Sequence, residues 1–165
     1  MKITWGKPKV EFGKIVDGET PTSFTTMPTQ KEDTVQLTTT KGTANELFGE
    51  GHELVARKSK RNTYLCEMEV FIDKGETSPI QDNDGVVEDY YHLRVTPEDE
   101  TLWGFEFPKA SVEVEELWSS AEGTKVKYTF VAIKPESGKM FQRYKGSTGG
   151  STGGSTGGST GGSEE

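Results

Sequence analysis

The segment from Asn62 to Ile72 alternates without a break: Tyr64, Cys66, Met68, Val70 and Ile72 fall on one side of an extended chain, Thr63, Leu65, Glu67, Glu69 and Phe71 on the other. Side chains repeat every two residues along a β-strand, so this stretch predicts a strand with one core-facing stripe. The same pattern recurs at Val35–Thr39, Tyr91–Val95, Ala110–Val114 and Val126–Phe130, with shorter runs at Val10–Ile15, Ser23–Met27, Glu53–Arg57, Phe105–Phe107 and Phe141–Tyr144. Turn signals punctuate these runs at Asp17-Gly18, Lys41-Gly42, Gly49-Glu50-Gly51, Asp84-Gly85, Glu122-Gly123 and Ser137-Gly138.

Composition agrees. Residues 1–145 hold 34 Val, Ile and Thr against 7 Leu and 5 Ala, an excess of β-branched side chains that favours sheet over helix. Only one helix start is well written. Thr96 offers an N-cap hydroxyl, Pro97 suits the first helical position, and Glu98 and Asp99 suit the positive end of a helix dipole, with Gly104 ending the helix within two turns. No amphipathic helix of useful length lies between strands, which argues against parallel βαβ units. The expectation is a mainly β domain: an antiparallel two-sheet sandwich or barrel of about eight to ten short strands with one short helix.

Residues 1–145 form that single domain, long enough to bury roughly 68–70% of the unfolded surface without metal or disulfide staples. Residues 146–165 are a Gly/Ser/Thr repeat ending in Glu164 and Glu165. No side chain there is large enough to offset the entropy of ordering, so the repeat reads as a disordered linker or tail with a reach of roughly 25 Å. The longest apolar run is Phe130–Ile133, so neither a signal peptide nor a membrane-spanning segment is expected.

The chain carries 27 acidic and 19 basic residues, a formal charge of −8. Gripping phosphate backbones requires clustered cations, so a nucleic-acid-binding task is disfavoured, although a surface past which nucleic acid slides is not. Catalytic material is sparse. Cys66 is the single cysteine and lies in the apolar register, the setting of an inert thiol. His52 adjoins a glycine turn and His92 faces away from the apolar side of its strand. Glu67/Glu69 and Glu113/Glu115 each share a strand face, as expected for a solvated outer surface. Asp82-Asn83-Asp84-Gly85 resembles half of a calcium loop, but the outer ligand positions hold Ile80 and Tyr91, so a β-turn is the better reading. No catalytic residue, metal site or cofactor is assigned. Leu65, Phe71, Val131 and Ile133 stand out, because they are apolar on the outward faces of the two strongest strands and call for cover by another element or another chain.

Thr4-Trp5-Gly6-Lys7-Pro8, Val35 to Gly42, Tyr91 to Thr96 running into Pro97-Glu98-Asp99, and Lys127-Tyr128-Thr129-Phe130 with Lys134-Pro135 together give a layout that resembles the tail tube proteins of bacteriophages, relatives of the type VI secretion tube proteins. The resemblance spans most of residues 1–145. It implies a non-enzymatic β-sandwich subunit that forms rings, usually of six, stacked into a tube through which DNA passes as non-specific cargo. It also implies other tail proteins as partners, assembly in the host cytoplasm, and residence in the virion tail. Leu65, Phe71, Val131 and Ile133 would then serve the assembly interface, and the polar loop from Asp73 to Asp89, with Asp82, Asn83, Asp84 and Gly85 at its turn, the contact between rings. The alternative is a monomeric carbohydrate-binding or adhesin-type β-sandwich on a flexible tether, with Trp5, Trp103 and Trp118 as a sugar platform.

Overall fold

A computed structural model describes residues 6–99 and 101–145; Thr4, Trp5 and the Gly/Ser/Thr repeat fall outside them. The described residues form ten strands and no helix: β1 (Lys9–Lys14), β2 (Thr25–Thr26), β3 (Gln36–Thr40), β4 (Ala44–Phe48), β5 (Leu54–Ser59), β6 (Thr63–Phe71), β7 (Tyr91–Thr96), β8 (Gly104–Ser119), β9 (Gly123–Ala132) and β10 (Gln142–Tyr144). Neighbouring strands all pair antiparallel. Eight of them make one sheet in the order β2-β1-β7-β8-β9-β6-β3, with β10 added on β8, while β4 and β5 pair only with each other. The mainly β, antiparallel class expected from the alternation is what the chain adopts.

The 16-residue β8 is the spine of the large sheet. The alternation reads as two short strands here, Phe105–Phe107 and Ala110–Val114, on either side of Pro108, which has no N–H to give a ladder. The chain instead runs through as one strand with an extra residue: Phe107 faces Leu93 and Ala110 faces Tyr91, so three steps on β8 match two on β7. Pro108 sits in that bulge, where no donor is required. On the other side of β8, β10 pairs up to Glu106 and β9 begins at Ala110, so the proline also falls at the seam between them.

The sheet curls around one core. Val10, Phe12, Leu93, Val95 and Phe107 from one half meet Cys66, Met68, Val70, Val126, Tyr128 and Phe130 from the other, all buried. The chain after β2 ties the two halves together: Met27 donates its N–H to Val10 on β1, and Lys31 donates to Glu69 on β6, with Gln30 bridging to Val70. Ile80, from the loop after β6, fills the core under Tyr128, whose hydroxyl donates to the Ile80 carbonyl at 3.3 Å.

Two local expectations need correction. The helix after Thr96 is absent. Only seven residues join β7 to β8, and the Asp99 carboxylate accepts from both the Thr101 N–H (3.0 Å) and the Thr101 hydroxyl (2.6 Å), while the Leu102 N–H bonds the Asp99 carbonyl. This is an Asx turn, the local alternative that aspartate offers to helix. At its end Gly104 passes so close to the Val95 carbonyl that a Cβ would overlap it. Lys41-Gly42, expected as a turn, is not one. The chain continues through it, and the β3–β6 register (Thr40 opposite Thr63) carries over without offset into β4–β5 (Ala44 opposite Ser59). Gly42 is needed there because the two chains cross closely, leaving no room for a Cβ against the Lys60 carbonyl.

The result is a two-stranded arm, residues 41–62, that leaves the body as an extension of β3 and β6. Every residue of β5, and all of β4 except Ala44, is exposed. Because the arm buries almost nothing against the body, replacing residues 41–62 by an Asn-Gly turn between Thr40 and Thr63 is expected to move the melting temperature by no more than about 3 °C, measured by circular dichroism. A larger fall would show that the arm supports the core.

Candidate functional site

The outward face of β3, β6, β9 and β8 carries the four apolar candidates, all half-buried. Leu65 lies opposite Val131, with Thr38 and Ser111 completing the row. Phe71 lies six residues further along β6, roughly 20 Å away, opposite Lys125. Ile133 follows the end of β9, its N–H donated to the Lys109 carbonyl. Leu65 and Val131 are thus brought together, and Phe71 stands apart from them.

Between these apolar ends the face is charged. Thr129 lies between Glu67 and Glu113, and Lys127 between Glu69 and Glu115. The pairs suggested by sequence therefore flank other strands' side chains, and the Lys127 ammonium lies 3.2 Å from Glu67. Lys125 is buried and bonds both Glu122 and Glu69, and Lys31 reaches Glu122 at 2.8 Å. Hydrogen bonds from Lys125 and Lys31 hold the Glu122 carboxyl down to about 2. Through Lys31, Glu69, Glu122 and Lys125 these ion pairs fasten the chain after β2 to the sheet.

The Asp73–Asp89 loop lies against the body. Asp82 accepts the Gly85 N–H at 2.6 Å, Asp84 and Gly85 take positive φ of 51° and 84°, and Asn83 exchanges hydrogen bonds with Val86. Val86 then bridges Glu113 along the β8 edge that β7 leaves open. The DNDG sequence thus builds a β-turn, and no group of three or more His, Cys, Asp or Glu among the described residues is placed to hold a metal ion.

The sequence reading missed one buried polar cluster. His92 does point away from the core, but that side is covered: its ring bonds Glu106 (2.9 Å) and meets the Phe24 ring edge-on. Arg94 donates to the same carboxylate (3.1 Å), Gln142 bonds its other oxygen, and the Arg94 guanidinium lies between Phe24 and Tyr144. Burial alone would raise the Glu106 carboxyl, but hydrogen bonds from His92, Gln142 and Arg94 outweigh it and bring it down to about 2. His92 and Glu106 are both buried, and their bonds join β7, β8, β10 and the chain before β2 as a staple. Its partners are scattered over more than a hundred residues, with no local signal. Cys66 is fully buried, and burial pushes its thiol up to about 12, far from a nucleophilic thiolate.

What the described residues offer to the outside is the arm. Leu47, Phe48, Leu54 and Val55 are between 46% and 64% exposed, and Phe48 stacks on His52 at the tip with ring centres 4.8 Å apart. Such a cluster on a slender ribbon is unusual for a surface that stays wet. Trp103 and Trp118 are also exposed, at 57% and 73%. They lie at opposite ends of β8, about 50 Å apart along the strand at 3.3 Å per residue, too far to form one sugar platform; Trp5 lies outside the described residues.

No family model matches the chain, and no curated protein matches it.

Two outcomes follow from this geometry. Glu106→Ala is expected to destabilise the fold by about 3 kcal/mol at pH 7, read from urea unfolding, because buried donors lose their acceptor. A carboxyl held below its ordinary value stabilises the fold at neutral pH, and that contribution drains as pH falls from about 5 towards 2. The variant should therefore show a weaker loss of stability across that window than the parent. Cys66 should react with a thiol reagent only at the rate of unfolding, and labelling within seconds in native protein would contradict its burial.

Proposed function

We propose that this chain is a non-enzymatic structural subunit that assembles with copies of itself into rings, six-membered as in the tail tube proteins it resembles, which stack into a tube for DNA passage. Other tail proteins would be its further partners and the virion tail its place. The observation that carries the reading is the arm: a ribbon committed to neither core nor fold, with four large apolar side chains held in water. Covering each such side chain stabilises an interface by roughly 1.5–3 kcal/mol, a gain that the isolated subunit forgoes. Charge distribution supports DNA as cargo. Outside the arm the chain carries 24 acidic and 14 basic residues, which repel a phosphate backbone. The described residues contain no helix long and apolar enough to cross a membrane.

The test compares the purified chain with a Leu47→Glu/Phe48→Glu variant by sedimentation velocity and negative-stain imaging, at high concentration and with an initiating tail complex. The parent is expected to form rings or tubes. A charge forced into the interface costs about 3 kcal/mol or more, so the variant should need at least about 100-fold more protein to assemble while melting at the parent's temperature. A parent that stays monomeric under both conditions and binds a glycan specifically would favour the monomeric binding module.

A further inference from the structure

The arm needs an acceptor, and one cleft of the body matches it. This cleft, about 680 Å³, opens where the chain enters β3 and β8. Its apolar wall includes Leu37, Pro97, Trp103 and Phe105, and its rim carries Glu32 and Asp33. Both rim residues are exposed, and neither pairs with a cation among the described residues, whereas Lys31 beside them is tied to Glu122 and Glu69. Lys7, also exposed, lines the cleft as well, so with Lys31 tied up the mouth carries two free carboxylates against one lysine, and the cleft is apolar inside with a net acidic balance at its mouth.

The arm has the opposite character. Residues 41–62 hold five cations, Lys41, Arg57, Lys58, Lys60 and Arg61, against Glu46, Glu50 and Glu53. Among the described residues only Arg57 is ion-paired, with Glu46 at 3.0 Å. The other four cations lie at the stem, behind the apolar tip. An apolar tip with a basic stem complements an apolar cleft whose mouth has more free carboxylates than free lysines.

The arm cannot fill the cleft of its own chain. Leu37 lies in the cleft at the start of β3, and the arm continues β3 in the same direction, so Phe48 stands eleven residues, roughly 35 Å, beyond it. We infer that the arm of one copy docks in the β3–β8 cleft of the next, Phe48 and Leu47 against Trp103 and the basic stem over Glu32 and Asp33. Donor and acceptor are different surfaces of one chain, so the contact is head-to-tail, the type that closes rings or propagates filaments. The inference rests on the assembly reading and supplies its interface.

Two measurements test it. In the first, an arm variant (Leu47→Glu/Phe48→Glu) and a cleft variant (Trp103→Glu) are examined alone and mixed. Each retains one half of the contact, so each alone should stay monomeric and the mixture should give a one-to-one dimer that grows no further. Should Trp103→Glu misfold, the charge swap replaces it: Lys58→Glu/Arg61→Glu should raise the assembly concentration at least tenfold, and adding Glu32→Lys/Asp33→Lys should restore it. In the second, a benzophenone side chain at position 103 of the full chain should cross-link to residues 44–57 of another copy. Cross-links to residues 1–5 of the same chain, to any other surface, or to nothing would overturn the inference. So would a cleft variant that assembles like the parent. That last outcome leaves the assembly reading standing, whereas a parent that never assembles removes both.

Discussion

The backbone pairing of β8 is the constraint on which the rest of the molecule depends. Its 16 residues ladder with β7 and the Val86 turn on one edge, and with β10 and β9 on the other. A strand this long cannot stay flat, because strands twist, and the bulge at Pro108 adds a local bend. The two halves of the sheet are thereby turned onto each other around Phe107, Tyr128 and Phe130. The closing segment from Thr25 to Lys31 reaches both β1 and β6 only because that bend has brought them near. Residues remote in sequence, such as Phe24 and Tyr144, then meet over Arg94.

Much of this was legible. The alternation at Asn62–Ile72 gave the buried stripe of Cys66, Met68 and Val70, and the Asp-Gly pairs at 17–18 and 84–85 mark turns with positive φ. The errors share a cause: local signals are read without knowing what lies across the ladder. Pro108 ends a strand unless a bulge receives it, and Thr96-Pro97 starts a helix unless Asp99 takes the next N–H groups for itself. Gly42 reads as a turn, yet it permits two chains to cross. The arm gave the weakest signal because alternation reports one buried face and one wet face, and both faces of β4 and β5 are wet.

The candidate surface was legible only in part. Apolar residues on two faces of one strand singled out Leu65 and Val131, which lie side by side. In the larger exposed cluster, Leu47 and Phe48 with Leu54 and Val55, only Leu54 and Val55 fell in a segment read as a strand, and Leu47 and Phe48 preceded the turn without an assignment. Its meaning depends on three-dimensional placement, since the same residues folded against the body would be ordinary core. Separation of basic arm from acidic body likewise disappears in the net charge of −8.

Hydrogen exchange of the backbone amides of residues 44–59 tests most directly whether assembly covers the arm. In the dilute subunit no other described strand pairs with this two-stranded ribbon, so its amides should exchange within seconds to minutes. On assembly the same amides should gain at least about 100-fold protection, while those of β8 and β9, already protected, should change little. Arm amides that exchange equally fast in the assembled and the dilute protein would contradict the account.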